Sequence, residues 1–283
     1  MKSAKSYHAL LDKITKRLDK IGIETPRTEA EIIISELLGC SRPELVWNLS
    51  EDVSQKIMLM AEEMVIRREK HEPLQYIIGE AHFMSLALYV TPDVLIPRPE
   101  TEILVEKICE IIPKNGTLLD LGTGSGAIAL AAAYERLDIK VTAVDVSINA
   151  LEVARQNSKK YGMDTVEFIE SDLFSNLSHQ RFDCIAANLP YVTDEEYKTL
   201  MPEVKKYEPR LALTAPDSGL KLIFKTIKHA HKHLQPDGYI IFEHGIHQAE
   251  AIRDALEGEK RYKDIEIIQD YSRRDRFTAA RLK

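Results

Sequence analysis

The chain has 283 residues, 44% of them hydrophobic, with 45 acidic against 38 basic side chains and a net charge of −7, enough apolar matter for one large or two modest cores. That acidic balance, without a block of basic residues, argues against direct nucleic-acid binding. No run approaches the roughly 18 apolar residues of a membrane span, and Met1-Lys2-Ser3-Ala4-Lys5 leads into no apolar signal segment. Cys40, Cys109 and Cys184 are scattered and form no C-x-x-C pair, so reduced thiols in a cytoplasmic protein are expected.

Residues 1–71 read as helices alone. Tyr7, Leu10, Leu11, Ile14, Leu18 and Ile21 recur at helical spacing and Gly22 closes that element. Thr25-Pro26 predicts an N-cap and first helical residue for a helix ending at Gly39. A short helix is expected from Ser41 to Trp47, then a longer one over 54–70 with Ile57, Leu59, Met60, Met64 and Val65 turned inward. Acidic and basic residues nearly balance here, so this region shows no charge signature; packing or partner recognition is its simplest use.

Between 72 and 100 the period changes. Tyr76–Gly79 and Phe83–Val90 suggest short strands of a linking β-hairpin. In Pro97-Arg98-Pro99 two prolines force an extended chain, and Pro99 starts a helix through Ile103, Leu104 and Ile108. The chemistry leaves Arg98 open between a solvated linker residue and the wall of a site.

From 117 strands and helices alternate, the pattern of a parallel α/β sheet. Strands are expected near 117–121, 140–145, 165–170, 182–187 and 238–243, then an antiparallel pair near 264–270 and 275–282. Helices are expected near 126–136, 147–161, 218–234 and 246–257. His229 and His233 would share a helix face, but without a third ligand no metal site is expected.

Asp120-Leu121-Gly122-Thr123-Gly124-Ser125-Gly126 sits between the first of these strands and its helix. Glycines tolerate the turn and leave room for ligand atoms, and the helix N-terminus turns free amides toward the pocket. The spacing is G-x-G-x-G and not the dinucleotide G-x-G-x-x-G. Asp145 ends the next strand, where a carboxylate can accept from both hydroxyls of a ribose. Composition and spacing leave NAD and S-adenosylmethionine (SAM) both open. The combination resembles class I SAM-dependent methyltransferases, which implies SAM and a seven-stranded Rossmann-like sheet.

Asp172 ends the third strand, where it can accept from an adenine amino group with Leu173 beside the ring. Asn188-Leu189-Pro190-Tyr191 ends the fourth, facing the glycine turn. An amide or amino NH2 is a poor nucleophile because its lone pair is delocalised. The Asn188 oxygen and a backbone carbonyl can take both N–H bonds, which strengthen as positive charge grows on nitrogen. Pro190 stiffens the turn and Tyr191 offers a flat face to the substrate group.

Several further blocks resemble the PrmC/HemK family of release factor glutamine methyltransferases: Glu72-Pro73-x-x-Tyr76-x-x-Gly79, Ile96-Pro97-Arg98-Pro99-Glu100-Thr101-Glu102, Glu208-Pro209-x-x-Ala212-Leu213, Asp217-Ser218-Gly219, Glu243-His244-Gly245 and Arg274-Asp275-Arg276. The resemblance spans nearly the whole chain. It implies SAM-dependent methylation of the glutamine side-chain nitrogen in the Gly-Gly-Gln loop of bacterial peptide-chain release factors. It also implies three regions: a helical recognition domain at 1–71, a hairpin linker at 72–100 and a methyltransferase domain at 101–283. Gly122, Thr123, Gly124, Ser125, Gly126, Asp145, Asp172, Leu173 and Asn188 are then expected at the cofactor, and Asn188, Leu189, Pro190 and Tyr191 at the glutamine. Leu189 stands where the commoner family turn has proline, but a backbone carbonyl is available from either residue. Asn-Leu-Pro-Tyr also resembles the turn of rRNA adenine dimethyltransferases, which leaves adenine methylation as the alternative activity. A SAM-binding interaction protein without turnover is the alternative outside enzymes.

Overall fold

A computed structural model describes residues 6–216 and 218–283; Asp217 of the Asp217-Ser218-Gly219 block and residues 1–5 of the helical stretch lie outside it. Two units organise these residues, one of 6–79 together with Pro202–Tyr207, the other of 80–201 and 208–283.

The first unit is helical: α1 Tyr7–Lys20, α2 Pro26–Leu38, α3 Leu45–Asn48, α4 Gln55–Glu69 and α5 Leu74–Ile78. Ser6 and Ser54 cap α1 and α4 through their hydroxyls, and Gly39 ends α2 in the left-handed region. Leu11, Ile14 and Leu18 of α1 meet Ile33, Ile34, Ala61 and Val65, each large side chain contributing about 1.5–3 kcal/mol by leaving water. Arg68 is buried and forks onto Glu29 at 2.7 and 3.0 Å, while its other arm takes Glu203 at 2.7 Å. Those bonds, with Tyr207 donating to the Lys70 carbonyl, account for a segment so distant in sequence joining these helices.

Two expectations are corrected here. Tyr76–Gly79 is not a strand but lies in and just after α5: Pro73 precedes the helix, Gly79 closes it at φ 84°, and Arg67 donates to the Tyr76 and Ile77 carbonyls. A run this short carries no periodicity to separate strand from helix. Leu59 and Met60 of α4 are exposed, as are Val46 and Trp47 of α3.

The second unit opens with a hairpin, β1 Glu80–Phe83 and β2 Leu86–Tyr89, then a 3₁₀ turn at Pro99–Thr101 leading into α6 Glu102–Ile111. There follow β3 Thr117–Leu121, α7 Ala127–Glu135, β4 Lys140–Asp145, α8 Ile148–Lys160, β5 Glu167–Glu170 and β6 Phe182–Ala187. Short helices α9 Asp194–Thr199, α10 Pro202–Tyr207 and α11 Arg210–Leu213 come next, α10 belonging to the first unit. Then come α12 Lys221–Ala230, β7 Leu234–Glu243, α13 Ala249–Gly258, β8 Tyr262–Gln269 and β9 Asp275–Leu282. Among the described residues seven strands form one sheet in the order β5-β4-β3-β6-β7-β9-β8, parallel except for β9.

Side chains alternate between the two faces of the central strands. Leu118, Val141, Cys184 and Ile241 enter one core with the alanines of α7, while Leu119, Val144, Ile185 and Ile240 enter the other with α12 and α13. The short helices between β6 and α12 went unassigned from sequence because four to six residues show no period. α12 ends at Ala230, so His229 and His233 do not share a helix face; His233 stacks on Phe174 with centroids 4.7 Å apart. Among the described residues no cluster suits a metal ion, and no helix is long and apolar enough to cross a membrane.

Candidate active site

The chain leaves β3 for β4 and β5 on one side, then returns to β6 on the other, which makes the carboxyl ends of β3 and β6 the crevice of this sheet. Register fixes what stands there. Leu121 pairs with Val144 and Ala187, Asp145 with Glu170, and Ala187 with Phe242. The residues just past or at those ends are therefore Gly122, Asp145, Ser171, Asn188 and Glu243. A cleft of about 430 Å³ opens over all of these but the buried Glu243, lined by Gly122–Ser125, Asp145, Asp172, Leu173, Asn188, Leu189 and Pro190, with Arg98, Thr101 and Leu211 at its other walls.

On the cofactor side the glycines hold φ values of 73°, 55° and 84° at 122, 124 and 126, a backbone that L side chains rarely adopt. A methyl on Gly124 would meet nothing within 4 Å, so the turn leaves open space there; one on Gly126 would press on Leu130 and Ala154. Asp145 accepts the Gly124 amide on Oδ2 and the Ser147 amide on Oδ1, both at 2.9 Å, and borders the cleft. Burial raises its carboxyl above the ordinary range while those amides pull it down. Beneath the turn, Asp120 is fully buried. Its Oδ2 accepts from Thr123 at 2.6 Å and its Oδ1 has no partner among the described residues. Burial pushes that carboxyl up to about 7. Open glycines, a strand-end carboxylate and a mainly apolar wall at Leu173 suit a nucleoside cofactor.

Asp172 lines the cleft, but its exposed carboxylate is engaged by Lys225 at 3.0 Å. Leu173 is buried at φ 53°, its carbonyl accepting from Ser171. Leu189 packs over the turn, its Cδ2 3.2 Å from where a Gly122 methyl would be. Tyr191 differs from expectation: it is not among the lining residues, and its hydroxyl is held by Glu243 and Arg276, whose guanidinium lies 5.0 Å from the ring centre. A buried carboxylate and its arginine attract a phenol more strongly than an apolar cleft does, and burial raises the Tyr191 hydroxyl's pKa.

Sequence reasoning assigned no role to the groups behind Asn188. Its Nδ2 donates to Thr101 Oγ1 at 3.4 Å, Thr101 donates to Glu243 Oε2 at 2.6 Å, and Arg276 lies 3.3 Å from Glu243 Oε1. Arg98, left open by the sequence, pairs with the buried Glu208 at 2.6 Å and borders the cleft. The motif blocks containing these residues were visible; their meeting was not.

Residues 9–79 match the description "PrmC N-terminal domain" and 99–205 match "Methyltransferase small domain". A release factor glutamine methyltransferase of Fusobacterium nucleatum is 36% identical over 276 residues, covering 96% of this chain and 78% of that protein. The chain belongs to the release factor glutamine methyltransferase family. The Salmonella typhimurium member is 38% identical over 259 residues, covering 91% of this chain and 93% of its own. A Pyrococcus furiosus methyltransferase of known structure, 20% identical, covers 70% of this chain and 89% of its own with a TM-score of 0.53, and shares the class I methyltransferase fold. Membership of the family makes the chain a methyltransferase enzyme.

Proposed function

We propose that this chain methylates the side-chain nitrogen of the glutamine in the Gly-Gly-Gln loop of bacterial peptide-chain release factors, with SAM as donor. Its similarity to proteins named release factor glutamine methyltransferase supports the partner. The observation that carries the chemistry is the register of β3 against β6, which sets Asn188 across one cleft from the glycine turn. When bound, SAM would supply an electrophilic methyl, its C–S bond pair staying on sulfur as the nitrogen pair forms the new C–N bond and the nitrogen gives up one proton to solvent. Gly122–Gly126 and Asp145 hold the donor, with Asp145 accepting from ribose hydroxyls and Leu173 flanking the adenine. Asn188 Oδ1 and the Leu189 carbonyl accept from the glutamine NH2, aiming the nitrogen and stabilising the charge that grows on it. Pro190 stiffens that turn, and Tyr191 braces it from behind.

In the same reading, the helical residues 1–71 recognise the release factor, 72–100 link, and 101–283 carry the chemistry. Trp47 and Leu59 are exposed apolar side chains on the helices of that first region, available to a protein partner. Mass spectrometry of a release factor incubated with the protein and SAM tests the function. One added methyl on the glutamine is expected; methyl transfer to rRNA adenine in its place overturns the reading.

A further inference from the structure

An amide side chain is nearly the same shape at its donor and acceptor ends, so outline alone does not decide which end of Asn188 meets a ligand. The groups behind it do decide. Thr101, only 4% exposed, gives its single hydroxyl hydrogen to Glu243 Oε2 at 2.6 Å. Toward Asn188 it can then only accept, and Nδ2 fills that role at 3.4 Å. Glu243 is fully buried, which raises its carboxyl above the usual range, but it accepts from Arg276, Thr101 and Tyr191, three donors that favour its ionised form. Arg276 is fixed in turn by the His244 carbonyl at 2.8 Å.

We infer that Thr101 and Glu243 are positioning residues that set the polarity of Asn188, so that its Oδ1 faces the cleft and the site selects a carboxamide over the carboxylate of the same shape. The inference rests on the glutamine reading above. A glutamine NH2 finds an acceptor in Oδ1; a glutamate finds that acceptor facing its own oxygens, which repel it. Glu243→Gln makes the sharpest prediction. Arg276 and Tyr191 hold its oxygen at their end, so its NH2 faces Thr101 and donates. The Thr101 hydrogen is then free for Asn188 Oδ1, and the amide turns its NH2 to the cleft.

The experiment uses the full chain, a purified release factor and the same factor with glutamate replacing the loop glutamine. Methylation of the glutamine factor by the unaltered enzyme comes first; its absence defeats the functional reading itself. Given that activity, Thr101→Val and Glu243→Gln should lower kcat by about tenfold to a hundredfold, the range for a misplaced reacting group, with SAM affinity unchanged by calorimetry. Thr101→Ser should restore most of it. In Glu243→Gln the glutamate factor should become the better competitive inhibitor, where with the unaltered enzyme it is weak. Placing Thr101→Val on Asn188→Ala should add little further loss, because the hydroxyl acts through that amide. Undiminished kcat in both variants, failure of Thr101→Ser to rescue, or fully additive losses overturns the inference. A Thr101→Val variant that no longer binds SAM is misfolded, and the inhibitor preference of Glu243→Gln then decides.

Discussion

On the glycine-turn bank of the cleft the shaping bonds close within short stretches of chain: Thr123 reaches Asp120 across 3 positions, and Gly124 reaches Asp145 across 21. On the opposite bank Asn188 reaches Thr101 across 87, Thr101 reaches Glu243 across 142, and Arg276 reaches Tyr191 across 85. The first bank is a backbone surface whose shape is set by φ angles and one carboxylate. The second is a relay of side chains drawn from β7, β9 and the turn before α6. A backbone surface binds; a side-chain relay can orient a single reacting group. Changes on the first bank should therefore appear as affinity or stability, and changes on the second as turnover.

The largest effect should come from Asn188→Ala. Losing one preorganised polar contact, about 2.7 kcal/mol, lowers kcat roughly a hundredfold. SAM affinity should stay close to that of the unaltered enzyme. Kinetics against a release factor and calorimetry with SAM separate the two, and near-normal kcat would remove Asn188 from the reaction.

Asp145→Ala is the mirror case. A charge-assisted acceptor is worth about 1.5–3 kcal/mol, so SAM should bind roughly ten- to a hundredfold more weakly. At saturating SAM, kcat should recover. Equal calorimetric affinity in both proteins would take the ribose contact away from Asp145.

That contrast also explains what could be read in the sequence. Gly122–Gly126 and Asp145 were legible because their spacing is itself the geometry: strand, turn, helix, strand. The alternation after 117 placed the sheet, since buried strands bounded by helices repeat over many residues. Tyr76–Gly79 and the helices over 194–213 escaped because single turns have no period. The Tyr191 ring was expected in the cleft because its neighbour Asn188 was; only the fold reveals a buried Glu243 and Arg276 competing for its hydroxyl. Thr101, Glu243 and Arg276 stood in recognisable blocks, yet no block states which other block it will meet.

Two glycines sharpen the comparison further. A methyl at Gly219, φ 77°, would collide with the Tyr191 carbonyl and fall 2.7 Å from Gln248 Nε2, whereas at Gly124 it meets nothing within 4 Å. Gly219→Ala should lose about 2–3 kcal/mol of stability and Gly124→Ala only about 1, the cost of a left-handed alanine. Gly124→Ala should instead lose SAM affinity, since the methyl projects into open space at the proposed donor site. Thermal melts beside calorimetry read both, and the reverse ranking would mean that the open space at Gly124 is not ligand space.

The smallest effect on turnover belongs to Asp120, beneath the turn. Burial lifts its carboxyl to about 7 in the folded chain, against about 3.9 when unfolded. Between those values the folded protein keeps a proton that the unfolded chain has released, so stability falls as pH rises across that window. Above it, the ionised carboxylate sits buried with one oxygen unpartnered among the described residues. Asp120→Asn keeps the acceptor for Thr123 and cannot ionise. Between pH 5 and pH 8 it should lose less stability than the unaltered protein, by about 1.4 kcal/mol for each pH unit below the folded-state value. For a chain of this size that is roughly 2–6 °C in Tm. Some slope should persist, because burial raises Asp145 in the same direction. Parallel Tm-against-pH curves for the two proteins would mean that the charge under the glycine turn is paired after all, and that the slope comes from other groups such as Asp145.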